Sequence, residues 1–103
     1  MRLEVLFFDG CPSNDELLPT LQQLASEHGA ELVSTAVETH EHAEQARFLG
    51  SPSVQVEGRD IEPGAETRTD FGMTCRLYRS EQGQSGVPPR DWIERALREA
   101  GAA

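Results

Sequence analysis

The residues best suited to chemistry lie in Phe7-Phe8-Asp9-Gly10-Cys11-Pro12-Ser13-Asn14. An apolar run stops at Asp-Gly, a cysteine follows, and a proline precedes what reads as a helix. A thiol at a helix start faces unpaired N–H groups and a partial positive charge. Both favour the thiolate, the form that acts as a nucleophile. Asp9 opposes this if its charge is close. The competing reading of Cys11 is a small buried hydrophobe at a strand end. The other cysteine, Cys75, sits in Phe71-Gly72-Met73-Thr74-Cys75-Arg76. It reads first as a core cysteine on a short strand. A resolving partner for Cys11 is the alternative, because sequence distance does not fix Cα separation.

Other candidates are weaker. His40 and His42 have the look of a ligand pair, but residues i and i+2 of a helix point apart, so a solvated helix start is expected and no metal. No other cofactor is expected either. Arg59, Arg68 and Arg76 offer charge for an anionic thiol such as glutathione, or for the Cys11 thiolate. Pairing with Glu62, Glu66 or Asp70 competes with that role. Trp92 is expected in the core as the anchor of the last helix.

These residues need elements to hold them. Arg2 to Phe8 alternates with apolar residues on both faces, as a central strand does. Ser13 to Glu16 carries helix-start chemistry, and Leu17, Leu18, Leu21, Leu24 and Ala25 repeat at helical spacing up to Gly29. Pro19 within that helix predicts a kink. A second strand is expected over Glu31 to Val37 and a short helix, capped by Thr39, over His40 to Leu49. Ser51-Pro52 introduces a strand from Ser53 to Glu57, and Gly58-Arg59 turns it into Asp60-Ile61-Glu62. Pro63 to Gly86 is polar and turn-rich, a long loop with one strand-like island at Cys75 to Tyr78. Pro88 and Pro89 open a last helix, which Gly101 ends. The first half therefore reads β-α-β-α-β-β, with the first two strands parallel.

With 103 residues, one domain spanning 1–103 is expected, carrying a loop insert at about 63–87. The net charge of −9 argues against nucleic-acid and anionic-membrane partners, which need a basic footprint. No apolar run is long enough to span a bilayer, and Glu4 inside the first apolar run argues against a signal peptide. Two cysteines suit a cytoplasmic protein with free or catalytic thiols. A monomer or weak homodimer is expected.

Three features, in order, resemble the thioredoxin/glutaredoxin superfamily. Cys11-Pro12-Ser13-Asn14 stands where that superfamily places Cys-x-x-Cys. Pro19 follows Cys11 by the spacing of the helix-kinking proline. Gly50-Ser51-Pro52-Ser53-Val54 matches the loop whose cis-proline lies against the active cysteine. More closely, FFDGCPSN, FLGSPSVQVEGRDIEP, RTDFGMTCRLY and GVPPRDWI look like a group of small bacterial thioredoxin-like proteins. Some of these are described as "DF family (seleno)proteins", in keeping with Asp70-Phe71, and others as alkylmercury lyases. The resemblance implies an α/β thioredoxin-like order, β-α-β-α-β-β-α, with a mixed four-stranded sheet and flanking helices. It also implies thiol redox chemistry at Cys11, with Pro12, Ser13, Ser51 and Pro52 contacting substrate.

Asn14 departs from the pattern. It replaces the cysteine that would attack a mixed disulfide, so a dithiol reductase confined to this motif is excluded. Its expected role is a cap or a hydrogen-bond donor near the Cys11 sulfur, with Asp9 and Arg76 around the pair. The expected function is that of a monothiol redox protein, a candidate oxidoreductase acting on a thiol, disulfide or peroxide. Cys75 or a small external thiol would resolve the product. The alternatives are a redox-inactive binding module using the Pro52 groove, and capture of mercury by Cys11 and Cys75 as soft ligands.

Overall fold

A computed structural model describes residues 1–102. Four strands form one mixed sheet: β1 (Arg2–Phe7), β2 (Glu31–Ala36), β3 (Ser53–Val56) and β4 (Arg59–Asp60). Their order is β2-β1-β3-β4. β1 runs parallel to β2 and antiparallel to β3, and β3 is antiparallel to β4. Three helices flank the sheet: α1 (Pro12–His28), α2 (His40–Gln45) and α3 (Arg90–Ala102).

The alternation in β1 distributes two cores. Leu3 and Val5 pair with Val56 and Val54 in register, so all four project to one face. There they meet Leu17, Leu21 and Leu24 of α1 and Ile93 and Leu97 of α3. Leu6 points to the other face and packs with Val37, Ala43 of α2, and Phe48. β1 is thus covered on both sides, which is why its sequence is apolar in both phases.

Local signals account for most boundaries. Gly29 ends α1 in the left-handed region at φ 66°, its N–H donating to the Ala25 carbonyl. The Thr39 hydroxyl accepts from the His42 N–H at 3.0 Å and caps α2. Several boundaries differ from expectation. α1 begins at Pro12, so Cys11 itself takes the N-cap position and Asn14 lies inside the helix instead of capping it. The far end of α1, past Pro19 to His28, is the one the sequence predicts. α2 stops at Gln45, and Arg47 turns the chain at φ 57°. The β3–β4 turn falls on Glu57-Gly58, both at positive φ, instead of Gly58-Arg59.

The segment after β4 is more ordered than a loop. A 3-10 turn covers Ala65–Thr67, and a hairpin pairs β5 (Tyr78–Ser80) with β6 (Gly83–Ser85). The predicted island at Cys75 to Tyr78 is displaced: the strand starts at Tyr78, and Cys75 makes one isolated parallel bridge to Ser51. Among the described residues no helix is long and apolar enough to cross a membrane.

Candidate functional site

β1 delivers the chain to Asp9 and Gly10, both exposed, and Gly10 turns it at φ 83°. Cys11 follows with extended backbone (φ −82°, ψ 106°) as the N-cap of the 17-residue α1. Its side chain makes no capping bond, and Pro12 fills the first helical position, where a missing N–H costs nothing. Cys11 is only 6% exposed. Pro12 is exposed and Ser13 half-buried. The Asn14 N–H donates to the Cys11 carbonyl at 3.2 Å. The Asn14 side chain is buried, and its Oδ1 has no hydrogen-bond partner.

The proline loop sits beside the end of β1. The Phe8 N–H donates to the Ser51 hydroxyl at 3.3 Å, extending the β1–β3 register. The Ser51–Pro52 peptide is cis. On its far side Ser51 meets the strap Thr74-Cys75-Arg76: the Ser51 N–H donates to the Thr74 carbonyl at 2.8 Å, and the Arg76 N–H donates to the Ser51 carbonyl at 3.0 Å. Ser51 therefore lies between the two thiol-bearing segments, about 5 Å in Cα spacing from each flanking partner. Ser51 and Pro52 are buried, and the strap's backbone bonds both the N–H and the carbonyl of Ser51.

Cys75 is exposed and free, not a core residue. The strap alternates: Arg76 and Tyr78 turn inward while Cys75 and Leu77 face solvent. Cys11 is likewise free.

Arg76 belongs to a buried ion cluster and not to the thiol. Its guanidinium donates to both oxygens of Asp60 at 2.7 and 2.9 Å, to Glu62 at 3.3 Å and to the Ser53 hydroxyl at 3.0 Å. Burial works against its charge, but the Asp60 bonds outweigh it and hold the pKa above the ordinary value. Arg68 is taken up by Glu62 and Asp70. Its hydrogen bond holds the Asp70 carboxyl below its ordinary value. His40 pairs with Glu44 one turn along α2 at 3.0 Å. No cluster of three or more metal-ligating side chains occurs among the described residues.

Two contributors escaped sequence reasoning. Tyr78 is buried, and its hydroxyl donates to the Pro52 carbonyl at 2.6 Å, bracing the cis-proline from behind. Burial pushes its phenol far above the usual range. Its ring meets Trp92 edge-on at 6.3 Å, and Trp92 is half-buried at a groove instead of sealed in the core. Gly86 packs directly on Ser13, where a Cβ would collide with the serine side chain. The inward alternation of Arg76 and Tyr78 was a signal for the first; nothing local marked Gly86. A groove of about 670 Å³ runs between β4 and α3 and is not lined by Cys11, Asn14 or Ser51.

No protein-family model, curated protein or solved structure matches the chain.

Proposed function

We propose that the chain is a thioredoxin-like thiol redox protein with Cys11 as its single nucleophile, working in a reducing, cytoplasmic setting. One observation carries this reading: a cysteine takes the N-cap position of the long helix that follows the central strand, and the end of that strand bonds the Ser51 loop. A mixed four-stranded sheet, with α1 and α3 packed on one face and α2 on the other, is compatible with this reading. Attack on an oxidant leaves sulfur oxidised. Asn14 offers no second thiol, so Cys75 or a small thiol returns it.

Alkylation of folded protein tests this. With Cys75→Ser, iodoacetamide labels Cys11 in the native state, and Cys11→Ser removes the redox activity. Native protein whose Cys11 resists both iodoacetamide and hydrogen peroxide near neutral pH, yet labels fully once unfolded, would refute the reading. The burial of Cys11 favours a second reading, a redox-inactive scaffold. It predicts that Cys11→Ser leaves the biological activity intact.

A further inference from the structure

We propose that the oxidant taken by Cys11 is a small hydroperoxide, and that Asn14 accepts a hydrogen bond from the sulfenic acid it forms. The proposal rests on the reading of Cys11 as a nucleophile, and two independent observations favour this substrate class.

The first is access. Cys11 is 6% exposed, between the turn at Gly10 and the first turn of α1. Attack on a protein disulfide needs a sulfur and its flanking carbons brought in line with the thiolate. Hydrogen peroxide needs little more room than water. The site therefore selects by size before it selects by chemistry.

The second is Asn14. It stands at the third helical position, within the first turn that follows the N-cap Cys11. It also heads the buried stripe that continues as Leu17, Leu21 and Leu24. The side chain is 5% exposed, and its Oδ1 is buried with no partner. An orphaned buried acceptor is costly, so it points to a donor gained in another state of the site. The Cys11 thiol does not satisfy it. A hydroxyl on that sulfur reaches one bond further and carries the proton the amide oxygen lacks.

The step balances. The thiolate attacks the protonated peroxide oxygen, the S–O bond forms, and the O–O bond breaks. Hydroxide or alkoxide leaves with the electron pair and takes a proton from water. Sulfur is oxidised by two electrons, and the transferred hydroxyl keeps its proton for Asn14. A low-molecular-weight thiol then condenses with the sulfenic acid, releasing water and forming a mixed disulfide. A second such thiol frees Cys11.

The test uses full-length Cys75→Ser protein and intact-mass spectrometry. Hydrogen peroxide should add one oxygen to Cys11, while Ellman's reagent, a bulky aromatic disulfide, should react with it far more slowly than with the unfolded chain. Adding Asn14→Leu should shorten the lifetime of the single-oxygen adduct about tenfold, the worth of roughly one buried hydrogen bond. Asn14→Asp, which keeps an acceptor oxygen, should retain the lifetime. An unchanged lifetime in Asn14→Leu overturns the role of Asn14. Cys11 that is alkylated by iodoacetamide but ignored by peroxide overturns this inference and leaves the thiol reading standing. Cys11 inert to both overturns the thiol reading itself. Should Asn14→Leu fail to fold, the peroxide-over-Ellman preference of the parent decides, and a reversed preference refutes the proposal.

Discussion

Replacing Arg76 by methionine takes the guanidinium from the centre of the ion cluster while keeping most of its stem. The side chains of Arg76 and Asp60 are 2% and 9% exposed, so the carboxylate left behind has almost no access to water. Breaking a buried pair from one side costs about 3–5 kcal/mol, because the remaining charge stays buried and uncompensated. Asp60 keeps one bond, from the Glu62 N–H at 3.0 Å, which puts the expectation at the lower end, about 3 kcal/mol. That is a large part of the roughly 5–15 kcal/mol that holds a domain together. For a chain of this length it corresponds to a fall in Tm of roughly 10–25 °C. Urea denaturation followed by Trp92 fluorescence measures it, since Trp92 is the only tryptophan. The double variant Arg76→Met/Asp60→Leu should recover at least about 1 kcal/mol by removing the orphaned charge. A loss below about 1 kcal/mol, or a double variant no better than the single, would refute the account. Alkylation of Cys11 in the folded fraction should be unchanged, because the Arg76 hydrogen bonds go to Asp60, Glu62 and Ser53. A severalfold slowing would restore the expected role of Arg76 beside the thiol.

Tyr78 is the only tyrosine, so tyrosinate absorbance reads it alone. Its folded pKa is raised by burial. The stability tied to it is therefore fully present below about pH 10, the unfolded value, and falls as pH rises further. Ionisation should coincide with alkaline unfolding, and a tyrosinate signal from folded protein would contradict its burial. Gly50→Ala should cost about 2 kcal/mol: the φ of +122° suits glycine, and the new Cβ would lie 3.0 Å from both the Arg76 Cβ and the Thr74 carbonyl. Equal Tm values for Gly50→Ala and the parent would show that the strap does not press there. Asn14→Cys puts a second thiol one helical turn from Cys11, with Cα atoms about 5–6 Å apart, inside disulfide range. Oxidised glutathione should close that pair, read as a loss of two hydrogens, and a persistent dithiol would count against the shared face. Gly86→Ala and Ser13→Gly should couple by more than about 0.5 kcal/mol in a double-mutant cycle, and additivity would remove the contact.

The sequence by itself determined what depends on neighbours along the chain. Period and capping chemistry gave the helices and strands, and two apolar phases marked Arg2 to Phe8 as a central strand. The placement of Cys11 at a strand-to-helix junction was legible from Asp9, Gly10 and Pro12 alone. Tertiary structure decided what depends on residues meeting across the chain. It buried Cys11 and exposed Cys75, the reverse of the reading that put Cys75 in the core. It laid the strap along the backbone of Ser51, a pairing nothing local in the sequence marked. It also sent Arg76 to Asp60, because a buried guanidinium needs a carboxylate at hydrogen-bond distance and β4 presents one there. Hydrophobic period reports which face of an element is buried, but not which other element covers it. For that reason the thiol could be located from sequence, while its burial, and the unpaired, buried oxygen of Asn14 in the first turn of the same helix, belonged to the fold.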